Sequence, residues 1–240
     1  MKKVLEVEIA HGGGYLQCTT YLVGGPQGAV LVDPGSGSCE PQVLAAVRRC
    51  GWPVSHVLLT HCHVDHARGA YRFRQLGMKI VAAPRTAEIL RTGGHQVWYE
   101  YPDYVIPTEV DLTPADGETL DLCGFPIRVL HTPGHTDGCA SYLVETAEGL
   151  VAFTGDLVSA SGEASWAGSE GFSVEDTIAS LEKLLAAAPA RLFRGHGRVE
   201  EPAADFLERA LEIGRAGHWT IHAEFHPRDR PPPGFERRPG

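Results

Sequence analysis

Four metal-ligating side chains fall within six positions, in His61-Cys62-His63-Val64-Asp65-His66, directly after the short apolar strand predicted at Val57 to Leu59. So dense a cluster requires a fold that ends a buried strand at a polar edge and brings other parts of the chain to meet it. Residues two apart in an extended chain point the same way, so His61 and His63 can converge on one ion. A helix starting near Asp65 turns Asp65 and His66 in another direction, toward a second ion. The positive end of that helix also favours the ionised aspartate.

Three later segments offer the partners. In His131-Thr132-Pro133-Gly134-His135-Thr136-Asp137-Gly138-Cys139, the Pro-Gly pair predicts a tight turn that aims His135 out of the fold at the first ion. His131 reads as a core or supporting residue, and Asp137 and Cys139 as structural. Phe153-Thr154-Gly155-Asp156 is an apolar strand ending in a carboxylate, and Gly195-His196-Gly197 places a histidine between glycines after another short strand. Taken singly, Asp156 reads as a turn cap and His196 as a turn residue. Their combination with the first cluster is what gives them meaning.

Apolar patterning supplies the frame. Strands are predicted at Val4 to Ile9, Thr19 to Val23, Ala29 to Val32, Lys79 to Ala82, Thr119 to Leu122, Ile127 to Leu130, Ala140 to Glu145, Leu150 to Phe153 and Arg191 to Phe193. Helical spacing appears over Glu40 to Cys50, from Asp65 to Leu76, from Pro84 to Arg91, after the capping sequence Ser173-Val174-Glu175-Asp176, and from about Glu201. Strands followed by alternating helices and strands, repeated once in each half, predict two packed sheets with helices outside. The spacing of His218, His222 and His226 predicts a partly buried terminal helix rather than another metal site.

In this order the four motifs resemble the metallo-β-lactamase superfamily, from about Tyr21 to Gly197 and including Val30-Leu31-Val32-Asp33-Pro34-Gly35. The resemblance implies an α/β fold, a four-layer αβ/βα sandwich of two mixed sheets with helices on the outer faces and metals at one edge between the sheets. It implies one domain over residues 1–226, followed by a Pro-rich tail over 227–240. By the same resemblance, His61, His63 and His135 bind a first metal, Asp65, His66 and His196 a second, and Asp156 bridges them. Asp33 holds loops near the site. Two Zn2+ suit this set of nitrogen and oxygen donors, with iron or manganese as alternatives.

The implied chemistry is hydrolysis of an ester, thioester or lactone carbonyl through a metal-bridging hydroxide, with Asp65 as the catalytic residue that orients the nucleophile. The aromatic segment from 93 to 105 and the stretch from Ser161 to Phe172 are expected to border the metal edge, where Trp98, Tyr101 and Trp166 either wall the substrate or pack the loops down. Two alternatives stand beside this reading. A mononuclear Fe2+ enzyme similar to persulfide dioxygenases would use His61, His135 and Asp156. A metal-binding module without catalysis would keep the ligands alone. Glyoxalase II-type enzymes share the first two motifs.

Composition narrows the partners. A formal charge of -9 disfavours a broad nucleic-acid face. The expectation is a cytoplasmic protein acting on a small molecule, with no nucleic-acid or membrane partner and homo-oligomerisation left open. Six scattered cysteines without a CxxC pair are expected to stay reduced.

Overall fold

Successive residues of a strand face opposite ways, and here both faces carry apolar side chains. In the sequence Gly28-Ala29-Val30-Leu31-Val32 every residue is buried, so that strand is covered on both sides. The computed structural model describes residues 3–7, 18–36, 40–93, 106–158, 164–166, 170–197 and 199–220. One five-stranded sheet contains β1 (Lys3–Val7), β2 (Thr20–Gly25), β3 (Gly28–Val32), β4 (Val54–Leu58) and β5 (Lys79–Val81), in that spatial order. The first three strands are antiparallel neighbours, and β4 and β5 continue in parallel.

The second sheet is assembled from β6 (Thr119–Leu122), β7 (Phe125–His131), β8 (Ala140–Thr146), β9 (Gly149–Gly155) and β11 (Arg191–Arg194), in the order β11-β9-β8-β7-β6. Its strands are antiparallel except that β11 joins β9 in parallel. A separate parallel pair joins β10 (Ala164–Trp166) to β12 (Trp219–Thr220).

Three apolar layers bind this frame. Leu22, Leu31, Val57 and Ile80 face outward from the first sheet onto α1 (Glu40–Cys50), α3 (Ala70–Gln75) and α4 (Pro84–Thr92) through Val43, Phe73 and Ile89. Between the sheets, Tyr21, Val23, Val30 and Val32 meet Ile127, Val129, Tyr142, Phe153 and Phe193. Beyond the second sheet, Leu143, Ala152 and Leu192 pack on α5 (Val174–Ala187) and α6 (Ala203–Arg215) through Leu181, Leu184, Leu207 and Leu211. The result is the expected four-layer αβ/βα sandwich, with two mixed sheets and helices outside.

Two buried tyrosines cross between the sheets. Tyr142 on β8 donates its hydroxyl to the Leu59 carbonyl of the first half, at 2.8 Å. Tyr21 on β2 donates to the Arg194 carbonyl of β11, at 2.6 Å.

Two helix expectations are corrected. The helix expected to run from Asp65 to Leu76 is broken into α2 (Val64–Ala67) and α3. The cause is tertiary: the loop after β3 crosses the helix path, and Gly69 donates its N–H to the Gly35 carbonyl at 2.8 Å. A Cβ on Gly69 would stand only 2.9 Å from the Pro34 carbonyl oxygen, so glycine is what allows the crossing. The helix expected to carry His218, His222 and His226 also fails at its start. Helix α6 ends at Arg215, Gly217 takes φ +80, and Trp219–Thr220 form a strand. A left-handed glycine just past a helix is a common stop. His218 is exposed, and His222, His226 and the 227–240 tail lie outside the described residues.

The capping residue Ser173 is as expected, with its hydroxyl accepting from the Asp176 N–H. Its own N–H donates to the Gly134 carbonyl, which fastens α5 to the turn before His135. Among the described residues, Cys18, Cys50, Cys62, Cys123 and Cys139 form no disulfide. Among the described residues, no helix is long and apolar enough to cross a membrane.

Candidate metal centre

All the chemistry-bearing motifs lie where strands run out, at one edge between the sheets. The His61 loop follows β4, His135 lies in the turn between β7 and β8, Asp156 follows β9 and His196 follows β11. The Gly134 turn works as expected: its φ is +144, and the Gly134 N–H donates to the Thr136 carbonyl. The His196 loop is held by main-chain bonds from Thr19 N to Gly195 O and from Gly195 N to Gly155 O.

Ligand atoms collect in two groups, His61, His63 and His135 in one, and Asp65, His66, Asp156 and His196 in the other. Within each group the atoms lie inside 4.8 Å of one another. His135 Nε2 faces His63 Nδ1 at 2.9 Å. In the second group His196 Nε2 lies 3.1 Å from Asp65 Oδ2, and His66 Nε2 lies 3.4 Å from the same oxygen. Asp156 stands between the groups, with Oδ2 3.3 Å from His196 Nε2 and 3.8 Å from His135 Nε2.

Proton bookkeeping fixes the orientation of two of the imidazoles. Thr60 gives its single hydroxyl proton to Asp33 Oδ2, so toward His61 Nδ1, 3.1 Å away, its oxygen can only accept. His61 therefore carries its proton on Nδ1 and turns the Nε2 lone pair inward. His66 Nδ1 lies 2.8 Å from Asp33 Oδ2, which keeps a proton on Nδ1 and turns Nε2 inward. Asp33 also accepts from the Thr60 N–H at 2.8 Å, so it orients both halves of the first motif without joining either group.

A metal fits these donors. His61 Nε2 and Asp156 Oδ1 are buried without a hydrogen-bond partner among the described residues, although His66 Nε2 is 3.4 Å from the latter. A buried lone pair with no partner is costly in a folded protein, and coordination to an ion removes that cost. Burial pulls His63 down to about 4 and His135 to about 3, and His61 well below its ordinary value, so these three are neutral donors. In the second group burial also opposes charge. There the carboxylates prevail, Asp156 first, holding His66 well above its ordinary value and His196 up to about 10. Asp156 and Asp65 are held below the usual carboxylate range by those same histidines, against the effect of burial. A neutral trio suits a cation at the first position, and the two carboxylates suit one at the second, where the ion takes the place of the His66 and His196 protons.

His131 stays outside both groups, with Nε2 2.9 Å from the Pro114 carbonyl. Asp137 pairs with Arg85 at 2.8 Å, and Cys139 packs against Thr136. Trp98 and Tyr101 lie outside the described residues, and Trp166 is placed only by its backbone in β10. Sequence reasoning missed Ser165, whose hydroxyl lies 3.1 Å from His135 Nδ1. A single serine in a segment without a motif gives no signal of its own.

Layered αβ/βα architecture and paired His/Asp groups at the sheet edge together define a metal-binding sandwich protein. The chain belongs to the metallo-beta-lactamase superfamily, which it matches over residues 13–196. It is 31% identical over 189 residues to a Drosophila melanogaster protein named beta-lactamase-like protein 2 homolog, covering 76% of this chain and 60% of that one. It therefore spans about three-fifths of that relative's length. It is 30% identical over 213 residues to a hydroxyacylglutathione hydrolase of Brucella anthropi, covering 81% of this chain and 70% of the relative. A metallo-beta-lactamase family protein from Thermus thermophilus shares the fold with TM-score 0.71 and 23% identity, over 90% of this chain and 79% of that one.

Proposed function

We propose that the chain is a dinuclear zinc hydrolase that opens an ester, thioester or lactone carbonyl. The observation that carries this reading is the position of Asp156, one carboxylate within 3.8 Å of histidine nitrogens from both groups. His61, His63 and His135 hold the first ion, Asp65, His66 and His196 the second, and Asp156 reaches both. Bound there, the zinc pair supplies an activated water as nucleophile and polarises the substrate carbonyl.

The chain's own residues do the rest. Thr60 and Asp33 set which nitrogen of His61 and of His66 turns inward, so both rings are aimed before an ion arrives. Asp65 contacts His66 and His196 through Oδ2, which leaves Oδ1 to accept a hydrogen bond from the attacking water and fix its line of approach. Gly195 leaves room for Asp156 Oδ1 and His66, which a Cβ there would strike. The relative named hydroxyacylglutathione hydrolase supports hydrolysis of an acyl bond. The acidic composition supports a small-molecule substrate rather than nucleic acid, and the absence of a CxxC pair among the cysteines supports a reducing, cytoplasmic setting.

The test is metal content per chain from cells grown with zinc, iron and manganese, followed by a screen of ester, thioester and lactone substrates. Two metals, mainly zinc, with turnover of one carbonyl class are expected. One iron per chain with oxygen uptake on glutathione persulfide would overturn the proposal. Two metals with no turnover across the screen would leave a metal-binding module instead.

A further inference from the structure

We infer that Ser165 is a positioning residue that sets the tautomer of His135 and so determines how tightly the first metal is held. This rests on the proposed assignment of His135 as a ligand. Ser165 is completely buried in the short strand β10, with its N–H donated to the Leu157 carbonyl at 3.2 Å. Its hydroxyl donates to the Asp156 main-chain carbonyl at 3.1 Å. A hydroxyl has one proton, and a carbonyl can only accept. Toward His135 Nδ1, 3.1 Å away, the serine oxygen is therefore the acceptor.

His135 thus carries its proton on Nδ1, and Nε2 keeps the lone pair that faces His63 Nδ1 at 2.9 Å. Without Ser165 both tautomers become available, and the one protonated at Nε2 cannot ligate. The same hydroxyl ties the His135 ring to the main chain of Asp156, the residue that stands between the two groups. The outer nitrogens of His61 and His66 are held by Thr60 and Asp33, within or beside the recognisable motifs. The outer nitrogen of His135 is held from elsewhere, by a strand whose hydrogen-bonded neighbour is the late strand β12. The first metal's third ligand is therefore oriented by a part of the chain that carries no motif.

The experiment uses the full chain with and without Ser165→Ala. Metal-free protein is titrated with Zn2+ against a chromophoric chelator to separate the two binding steps. Loss of the supporting hydrogen bond should weaken one zinc equivalent by about 10–100-fold and leave the other within about twofold. NMR of the zinc-loaded protein supplies a readout that mere loosening would not give. The slowly exchanging His135 Nδ1–H should be present in the wild type and lost in Ser165→Ala, while the corresponding His61 and His66 protons persist. Unchanged affinity at both steps, equal weakening of both, or an intact His135 Nδ1–H in the variant would overturn the inference. A wild-type chain that binds fewer than two zinc ions would refute the dinuclear reading instead, and the His135 signal would still decide the role of Ser165.

Discussion

Gly195→Ala adds one methyl group at the centre of the proposed site. A Cβ at that position would lie 2.1 Å from Asp156 Oδ1, 2.6 Å from His66 Cε1 and 3.1 Å from the Gly155 carbonyl carbon. Ordinary contact begins near 3.4 Å, so the Asp156 oxygen must retreat by about 1.3 Å if the backbone stays put. The backbone has little room to yield, because the Gly195 N–H and carbonyl are both bonded, to Gly155 and Thr19. Nor is the glycine needed for its dihedral angle, since Gly195 is not among the residues with positive φ. The penalty is therefore contact alone. Overpacking of this kind costs about 1–3 kcal/mol, or a fall in Tm of roughly 2–12 °C for a chain of this size. A ligand displaced by more than 1 Å should also weaken zinc at the second group by about 10–100-fold and lower kcat/KM by about 100-fold. Zinc titration, calorimetry and hydrolysis assays read the three effects. Gly51→Ala is the converse control, with φ +67 and open space around it; it should lose roughly 1–2 kcal/mol with zinc binding unchanged. A Gly195→Ala protein with wild-type Tm and full zinc affinity would refute the reasoning.

Asp33→Asn keeps the size of the side chain but has one acceptor oxygen; with that oxygen on the Thr60 N–H, its NH2 faces Thr60 Oγ1 and His66 Nδ1, where Asp33 Oδ2 accepts. It should turn His66 to the tautomer that cannot ligate and weaken the second zinc by at least about 10-fold, with the first retained, as measured by the same titration. Asp116→Asn tests a site far from the metals. Burial opposes ionisation of Asp116, but the Lys183 ammonium and the His131 N–H outweigh it and hold its pKa below the usual carboxylate value of 3.8. A depressed folded value means that the stabilisation is complete above about pH 3.8 and fades as the pH falls through the folded value. The pair is largely exposed, so the variant should lose less than about 1 kcal/mol in urea unfolding at neutral pH, and less still as the pH is lowered. A gap that widens on acidification would show the sign to be wrong.

The metal groups were legible because their chemistry is local. Ligand-type residues at short spacing, each after an apolar run, announce a strand edge whatever the rest of the chain does. The sandwich was legible for a similar reason: residues such as Val30, Leu31 and Val32 are apolar on both faces and need a layer on each side. The break between α2 and α3 was not legible, because Phe73 and Ala70 continue the helical spacing across it. Only the approach of Pro34 and Gly35 to Gly69 reveals the cause. The strand at Trp219–Thr220 was missed for the opposite reason, since the histidine spacing drew attention past Gly217, the residue that ends the helix. Ser165 had no local signature at all. Its meaning comes from a ring thirty positions earlier in the chain.

Interlocked apolar side chains align two sheets through many small contacts, none of which fixes a single point of register. The hydroxyls of Tyr21 and Tyr142 supply what those contacts lack. Each is a peg from one sheet seated in a main-chain socket of the other, and they run in opposite directions. A single peg prevents gliding but still permits pivoting; a second, placed apart from it, prevents both. Their sockets are Leu59 and Arg194, each only two residues before a proposed ligand, His61 and His196. The halves of the molecule are thus indexed to each other beside the very loops that must meet, and the accuracy of the metal centre is set by two phenols that never touch it.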